Sequence, residues 1–99
     1  MNDDSAVLFC KAIIANAYDD LNAGIRAGDR ASERGMYNNC DVNAIMIGMD
    51  AARFFKSEWF KKVSMGLDEY IIKRFNIIEK IKRIEAIESG LREWQKRMS

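Results

Sequence analysis

The sequence contains no histidine and no proline, and it has only two cysteines in 99 residues. Without histidine, the chain cannot carry a Ser-His-Asp or Cys-His catalytic group, an HExxH metal site or a Cys2His2 zinc finger. Two cysteines cannot complete a structural zinc site, and in a small intracellular protein we expect both as free thiols. The sequence therefore predicts a non-enzymatic protein with neither a metal nor a cofactor.

The lack of proline, together with only six glycines, favours long helices over a turn-rich β fold. The hydrophobic share of 48% and the charged share of 31% are ordinary for one globular domain. We predict an all-α fold in a single domain over residues 1–99, a small bundle of about four helices with a long amphipathic C-terminal helix. Residues 76–99 can form a helical extension of that domain.

The start of the chain lacks the features of a targeting segment. Residues 1–4 are acidic where a secretory signal would be basic, and Lys11 interrupts the short apolar run before it. No uninterrupted apolar stretch approaches the ~18–20 residues that a membrane span needs. We expect a cytoplasmic protein with no membrane partner.

The first helix is predicted to run from an acidic or serine cap to about Ala23, because its apolar residues follow a 3.6-residue period. Gly24 and Gly28 then weaken the helix, so that it ends at Gly28. The polar stretch over residues 29–39 is expected to be a loop or a short helix.

Two further helices are predicted in the middle of the chain. Asp41 is expected to cap a helix over residues 42–56, and Ser57 a short helix over residues 58–65. Trp59 is expected to point inward in that short helix. Four aromatic residues are predicted to form one corner where the two helices meet: Phe54, Phe55, Trp59 and Phe60.

The last helix is predicted to begin after a cap at Asp68 and to span at least residues 69–89, with Arg97 as the alternative end and Gly90 as a hinge or end. Its apolar stripe drifts around the helix, which suits contact with two neighbours or with another chain. A homodimer through residues 69–98 would cover that stripe. Five pairs of an acidic and a basic residue are spaced for favourable pairing on helix surfaces: Glu58–Lys62, Glu69–Lys73, Glu79–Arg83, Glu88–Arg92 and Glu93–Arg97.

Residues 57–75 also match a degenerate helix-turn-helix with Gly66 at the turn. Two lysines fall where the motif needs an apolar and a small residue, and the recognition helix would begin with Asp68 and Glu69, which repel phosphate. A nucleic-acid-binding regulator is therefore one alternative function. An oligomeric structural or assembly protein is another.

The segment from Ala52 to Phe60, followed by Val63-Ser64 and by residues 67–75, resembles a pattern in small proteins encoded by prophages and integrative elements of Firmicutes. The shared features are an aromatic pair, a basic residue, a serine, an aromatic two residues on, and then an aspartate and an aromatic residue before Ile or Leu and a basic residue. Residues 76–99 depart from the pattern. The resemblance implies a mobile-element protein that acts in a bacterial cytoplasm, and it carries over no functional residues.

Small phage proteins often bind host machinery stoichiometrically, as anti-CRISPR inhibitors do, and this analogy suggests a function. We predict a phage or mobile-element protein that binds and inhibits a host protein complex, such as a CRISPR effector or another defence protein. Nucleic acid is a further expected partner, because residues 51–99 hold twelve basic residues against seven acidic ones. The residues predicted to contact the partner are Lys56, Lys61, Arg74, Lys80, Lys82 and Trp94.

Overall fold

A computed structural model describes residues 3–99 of the chain. That range contains five helices and no strand: α1 (Asp3–Arg34), α2 (Asn39–Phe55), α3 (Glu58–Val63), α4 (Asp68–Arg74) and α5 (Ile77–Met98). The all-α prediction is confirmed, with five helices in place of about four. The molecule measures 52 × 23 × 20 Å, and α1 alone accounts for about 48 Å of chain at 1.5 Å per residue.

None of the helices in the described range is both long and apolar enough to cross a membrane.

The predicted end of the first helix at Gly28 is wrong, because α1 continues without a break to Arg34. Gly35 ends it instead: its φ of +75° is a left-handed conformation that glycine adopts readily, and its N–H donates to the Ala31 carbonyl at 2.9 Å. The connection to α2 therefore shrinks to residues 35–38, where a loop or short helix over residues 29–39 was expected.

Gly24 and Gly28 lie inside α1 because they let other helices approach its backbone closely. A Cβ built on Gly24 would lie only 3.0 Å from the carbonyl oxygen of Ala44 and 3.0 Å from Cδ1 of Ile84. A Cβ on Gly28 would lie 2.4 Å from Cγ2 of Ile87. The two isoleucines of α5 thus occupy space that only glycine leaves open, and this packing offsets the ~1 kcal/mol that glycine costs a helix interior.

Asn38 caps α2, which corrects the expected cap at Asp41. The Asn38 side chain accepts the N–H of Asp41 at 2.8 Å, and the Asp41 carboxylate accepts the N–H of Asn38 at 3.0 Å. This reciprocal pair satisfies two backbone donors at the start of the helix. The buried Asp41 carboxylate also forms an ion pair with Arg34, so a charge-assisted hydrogen bond joins the end of α1 to the start of α2.

A phenylalanine cluster joins α2 to α3. Phe54, Phe55 and Phe60 pack with ring centroids 5.0 to 5.6 Å apart. The predicted cap of α3 is confirmed, because the Ser57 hydroxyl oxygen accepts the N–H of Phe60 at 3.3 Å. Trp59 was expected to be part of this cluster, but it lies outside it and is 54% exposed.

The predicted last helix over residues 69–89 is in fact two helices, because the chain breaks at Asn76. Asn76 adopts φ +55° and ψ +42°, a left-handed conformation that asparagine tolerates better than most residues. α5 then continues through Gly90, where a hinge or end was predicted. Leu67 occupies the N-cap position of α4, so Asp68 is the first helical residue and not the cap.

α5 covers most of its apolar stripe within its own chain. A homodimer through residues 69–98 stays a prediction. Ile78 and Met98 remain exposed on the helix. The buried residues of α5 are Ile77, Ile81, Ile84 and Leu91.

The surface ion pairs differ from the predicted set. Only Glu88–Arg92 of the five forms an ion pair in the described range, with Nε and Oε1 2.8 Å apart. Arg83 instead reaches across to Asp29 of α1, which ties the two helices together. Three glutamates pair one position earlier than expected, at i,i+3: Glu58–Lys61, Glu79–Lys82 and Glu93–Lys96.

Candidate functional site

The two halves of α1 have different surroundings. Residues 17–34, the covered half, pack against α2 and α5. Residues 4–16, the open half, include no buried residue. The buried residues of the covered half recur at helical spacing: Ala17, Leu21, Gly24, Ile25, Ala27, Gly28 and Ala31.

An apolar groove runs between α1, from its open half to Tyr18, and the segment formed by α3 and α4. We call it the α1/α4 groove. It has a volume of about 370 Å³, within the range of ligand and peptide pockets. The residues that line it are Val7, Cys10, Lys11, Ile14, Ala15, Tyr18, Val63, Ser64, Met65, Leu67, Ile71 and Phe75.

One wall of the groove is a single face of α1. Val7, Cys10, Ile14 and Tyr18 follow one another at intervals of three and four residues, so they project from the same side of the helix. From the first to the last of these residues, the wall extends about 16 Å at 1.5 Å per residue. The groove is therefore as long as about three turns of helix.

The opposite wall depends on the turn between α3 and α4. Met65 and Gly66 adopt successive left-handed conformations, with φ of +57° and +87°. This turn places Met65 and Leu67 at the rim, where they are 62% and 57% exposed. A left-handed conformation costs a residue with a side chain about 1–2 kcal/mol. Met65 carries this strain without burying its side chain in the chain itself.

An aromatic pair with two cations closes one end of the groove. The rings of Tyr18 and Phe75 lie 5.3 Å apart. The guanidinium of Arg74 lies 5.8 Å from the centre of the Phe75 ring, and Nζ of Lys80 lies 5.5 Å from the centre of the Tyr18 ring. Lys80 also donates to Oδ1 of Asn22 at 2.8 Å, which holds its ammonium group in place.

The residues that line the groove carry positive charge only. Lys11 is the only charged residue among the described residues that line it, and none of them is acidic. Lys11, Arg74 and Lys80 make no ion pair in the described range. Positive charge on an apolar groove attracts an anionic group that arrives with apolar surface.

The structure separates the six residues predicted to contact a partner. Arg74 and Lys80 lie at the aromatic end of the α1/α4 groove, as described above. Trp94 is half-buried and packs against Tyr37 with ring centroids 5.3 Å apart, so it contributes to the fold. The other three are held by acids of the same chain: Lys56–Glu85 at 2.8 Å, Lys61–Glu58 at 3.4 Å and Lys82–Glu79 at 3.7 Å.

The apolar residues of the groove were not predicted as a site. The stripe that includes Val7, Cys10 and Ile14 is visible in the sequence, but an apolar stripe is normally covered by the rest of the same domain. Adjacent Met65 and Gly66 are the one local signal. A glycine beside an exposed methionine suggests a tight turn with an adaptable apolar side chain.

In the part of the chain that the structure describes, no group of three cysteine or acidic side chains is arranged to hold a metal ion. Cys10 and Cys40 are both free, as expected. The Arg92 side chain donates a hydrogen bond to Glu88 and thereby lowers the pKa of that carboxyl, but this pair lies on the surface of α5, away from the groove.

Comparisons with protein families, with curated proteins and with solved structures find no match to this chain.

Proposed function

We propose that the chain is a non-enzymatic binding protein that holds a partner protein in the α1/α4 groove. The observation that carries this proposal is the open apolar rim, where Met65, Leu67 and Phe75 are all more than two-fifths exposed. Soluble proteins that leave a contiguous apolar surface of this kind uncovered commonly use it to bind another molecule. The strained conformation of Met65 supports the same proposal, because strain that the fold does not need is often kept for function.

The partner in this proposal is a bacterial host protein. The resemblance of residues 52–75 to proteins of prophages and integrative elements supports that setting. We extend it to stoichiometric inhibition of a host defence complex, of which a CRISPR effector is one example. In this proposal the groove is the main contact surface and includes Arg74 and Lys80 of the predicted set at its aromatic end, while Lys56, Lys61 and Lys82 each pair with a glutamate of the same chain.

Affinity purification from a bacterial host tests the proposal when it compares two matched variants. Leu67 lies on the groove rim, and Leu8 lies on α1 outside the groove, with 57% and 66% exposure. Because both are exposed, neither Leu67→Glu nor Leu8→Glu should disturb folding, which circular dichroism can verify. We expect the wild type and Leu8→Glu to recover one host protein in near-equal amount, and Leu67→Glu to lose it. Equal recovery by all three proteins, or by none, would contradict the proposal.

A second candidate is nucleic-acid binding by α3 and α4. The observation in its favour is that these helices and the turn at residues 64–67 have the order of a helix-turn-helix, with Lys62, Lys73 and Arg74 exposed. Against it, α4 has only seven residues and begins with two acids. A mobility shift of DNA or RNA that weakens steeply with salt would favour this candidate, and no shift at low salt would eliminate it.

A further inference from the structure

We propose that the element bound in the α1/α4 groove is an amphipathic helix of about three turns, with acidic residues along its edge. This inference rests on the proposed function and names the chemistry of the partner. It draws on two independent features, the helical surroundings of α1 and the charge around the groove.

The first feature is the way α1 is covered along its length. In the covered half, α5 lies against α1, and its side chains Ile84 and Ile87 fit over Gly24 and Gly28. In the open half, α1 forms one wall of a groove, and α3, α4 and the turn between them form the other; none of the remaining described helices lines it. A helix of about three turns matches its length of about 16 Å. Such a helix would bind through apolar residues at positions i, i+4 and i+7.

The second feature is the set of cations around the groove. Lys11 lies in the groove wall, while Arg74 and Lys80 stack on its aromatic end. All three lack an ion pair in the described range, and the lining residues include no acid. A helix with Glu or Asp beside its apolar stripe would neutralise these cations, whereas a basic helix would be repelled.

Two synthetic peptides provide the probe. Both are stapled helices of about 14 residues with the same leucine stripe, and they differ in carrying Glu or Lys beside it. In fluorescence anisotropy at about 50 mM salt, we expect the acidic peptide to bind at least about tenfold more tightly than the basic one. We expect that preference to shrink at about 500 mM salt, because salt screens the charges.

A charge reversal with a matched control tests whether the preference for the acidic peptide comes from the groove. Arg74→Glu should weaken binding of the acidic peptide about tenfold and strengthen binding of the basic peptide, because Arg74 stacks on the aromatic end of the groove. Arg97→Glu makes the same change of charge at an exposed position near the end of α5 and should leave the discrimination in place. Equal effects of the two variants would mean that net charge, and not the groove, selects the peptide.

The two cysteines report directly on occupancy. Cys10 lines the groove, and Cys40 is exposed near the start of α2. We expect the acidic peptide to slow alkylation of Cys10 and to leave the rate at Cys40 unchanged. Equal binding of both peptides, or no protection of Cys10, would overturn the inference. Laurate serves as the probe for a small anionic amphiphile. If laurate protects Cys10 and neither peptide does, the inference is overturned in favour of such a ligand.

A second copy of the chain is the remaining occupant, and light scattering addresses it. A dimer in which Cys10 is already protected would overturn the inference.

The affinity purification and the peptide assays together separate this inference from the proposed function. If Leu67→Glu fails to recover the host protein while neither peptide binds the wild type, only the inference of an acidic helix is wrong. If recovery of the host protein does not depend on Leu67, the proposed function itself is wrong.

Discussion

The open half of α1 is more apolar than the covered half, yet it is the half without buried residues. Nine of the thirteen residues at positions 4–16 are Ala, Val, Ile, Leu, Met, Phe, Trp, Tyr or Cys, against seven of the eighteen at positions 17–34. The covered half has small residues at its contacts, including Gly24 and Gly28, so α2 and α5 can approach its backbone. Burial in this chain follows the close approach of helices more than the local hydrophobic content.

This difference assigns different tasks to the two halves. The covered half holds the fold together through close packing. The open half contributes one face to a groove that the chain leaves open, with Met65 and Leu67 exposed at its rim. An exposed surface of this size is costly in water unless a partner covers it. The following predictions test the division, in order of decreasing effect.

The largest expected effect comes from the same substitution in both halves of α1. Leu21 is fully buried in the covered half, and Leu8 is 66% exposed in the open half. Leu21→Ala should cost about 2–5 kcal/mol in the free energy of unfolding, because it leaves a cavity. Leu8→Ala should change it by less than about 0.5 kcal/mol. Urea denaturation measures both, and similar losses would show that the two halves are packed alike.

Replacing Gly28 and Gly90 by alanine should change the free energy of unfolding in opposite directions. Gly28→Ala is expected to cost about 1–3 kcal/mol, because its Cβ would overlap Ile87. Gly90→Ala serves as the control: its Cβ would meet only Oη of Tyr37 at 3.5 Å, so better helix propensity should stabilise the protein by up to about 1 kcal/mol. Thermal unfolding of the two variants checks the prediction. Stabilisation by Gly28→Ala would refute the close approach of α5.

Removing the strain at the rim should separate stability from binding. Met65→Gly is expected to stabilise the fold by about 0.5–1 kcal/mol, because glycine adopts the left-handed conformation without strain. The same change should weaken partner binding, since it removes a side chain of the groove. Asn76→Gly, at a left-handed residue outside the groove, should change neither the stability nor the binding by much. If Met65→Gly destabilised the protein and left binding intact, Met65 would have a structural role only.

The smallest expected effect concerns the surface pair on α5. The hydrogen bond from Arg92 lowers the pKa of Glu88 below its ordinary value of 4.5. The carboxylate therefore stabilises the fold above that pH, and the contribution is lost as the pH falls through the lowered value. Glu88→Gln should reduce the melting temperature slightly at pH 7 and not at pH 2. A difference that persists at pH 2 would require another cause.

Some parts of the fold could be predicted from the sequence because they depend on local chemistry. Ser57 caps α3 as expected, since a serine followed by Glu58 is a strong start signal. The all-α class followed from the missing proline and the helical periodicity. At Asn38 the local signal was present but was assigned to Asp41, because both residue types cap helices and the reciprocal pair uses both.

Other parts could not be predicted, because the same residue has different roles in different surroundings. Gly28 ends a helix when it is exposed and joins two helices when it faces Ile87, and only the packing decides between them. The break at Asn76 lies within an apolar stripe that continues on both sides. The groove was missed for a related reason: a stripe such as that of Val7 and Ile14 has the same pattern whether the chain covers it or leaves it open.

Hydrogen exchange of α1, with and without the acidic peptide, tests the account most directly. In the free protein, amides at positions 4–16 should exchange much faster than those at positions 21–31, because the open half has less tertiary cover and no buried residue. With the peptide bound, protection should rise at positions 4–16 and 64–75 and stay unchanged at positions 21–31. Equal protection along α1 in the free protein, or no gain at the groove with peptide, would contradict the central claim that the open half of α1 is a docking site for a helix.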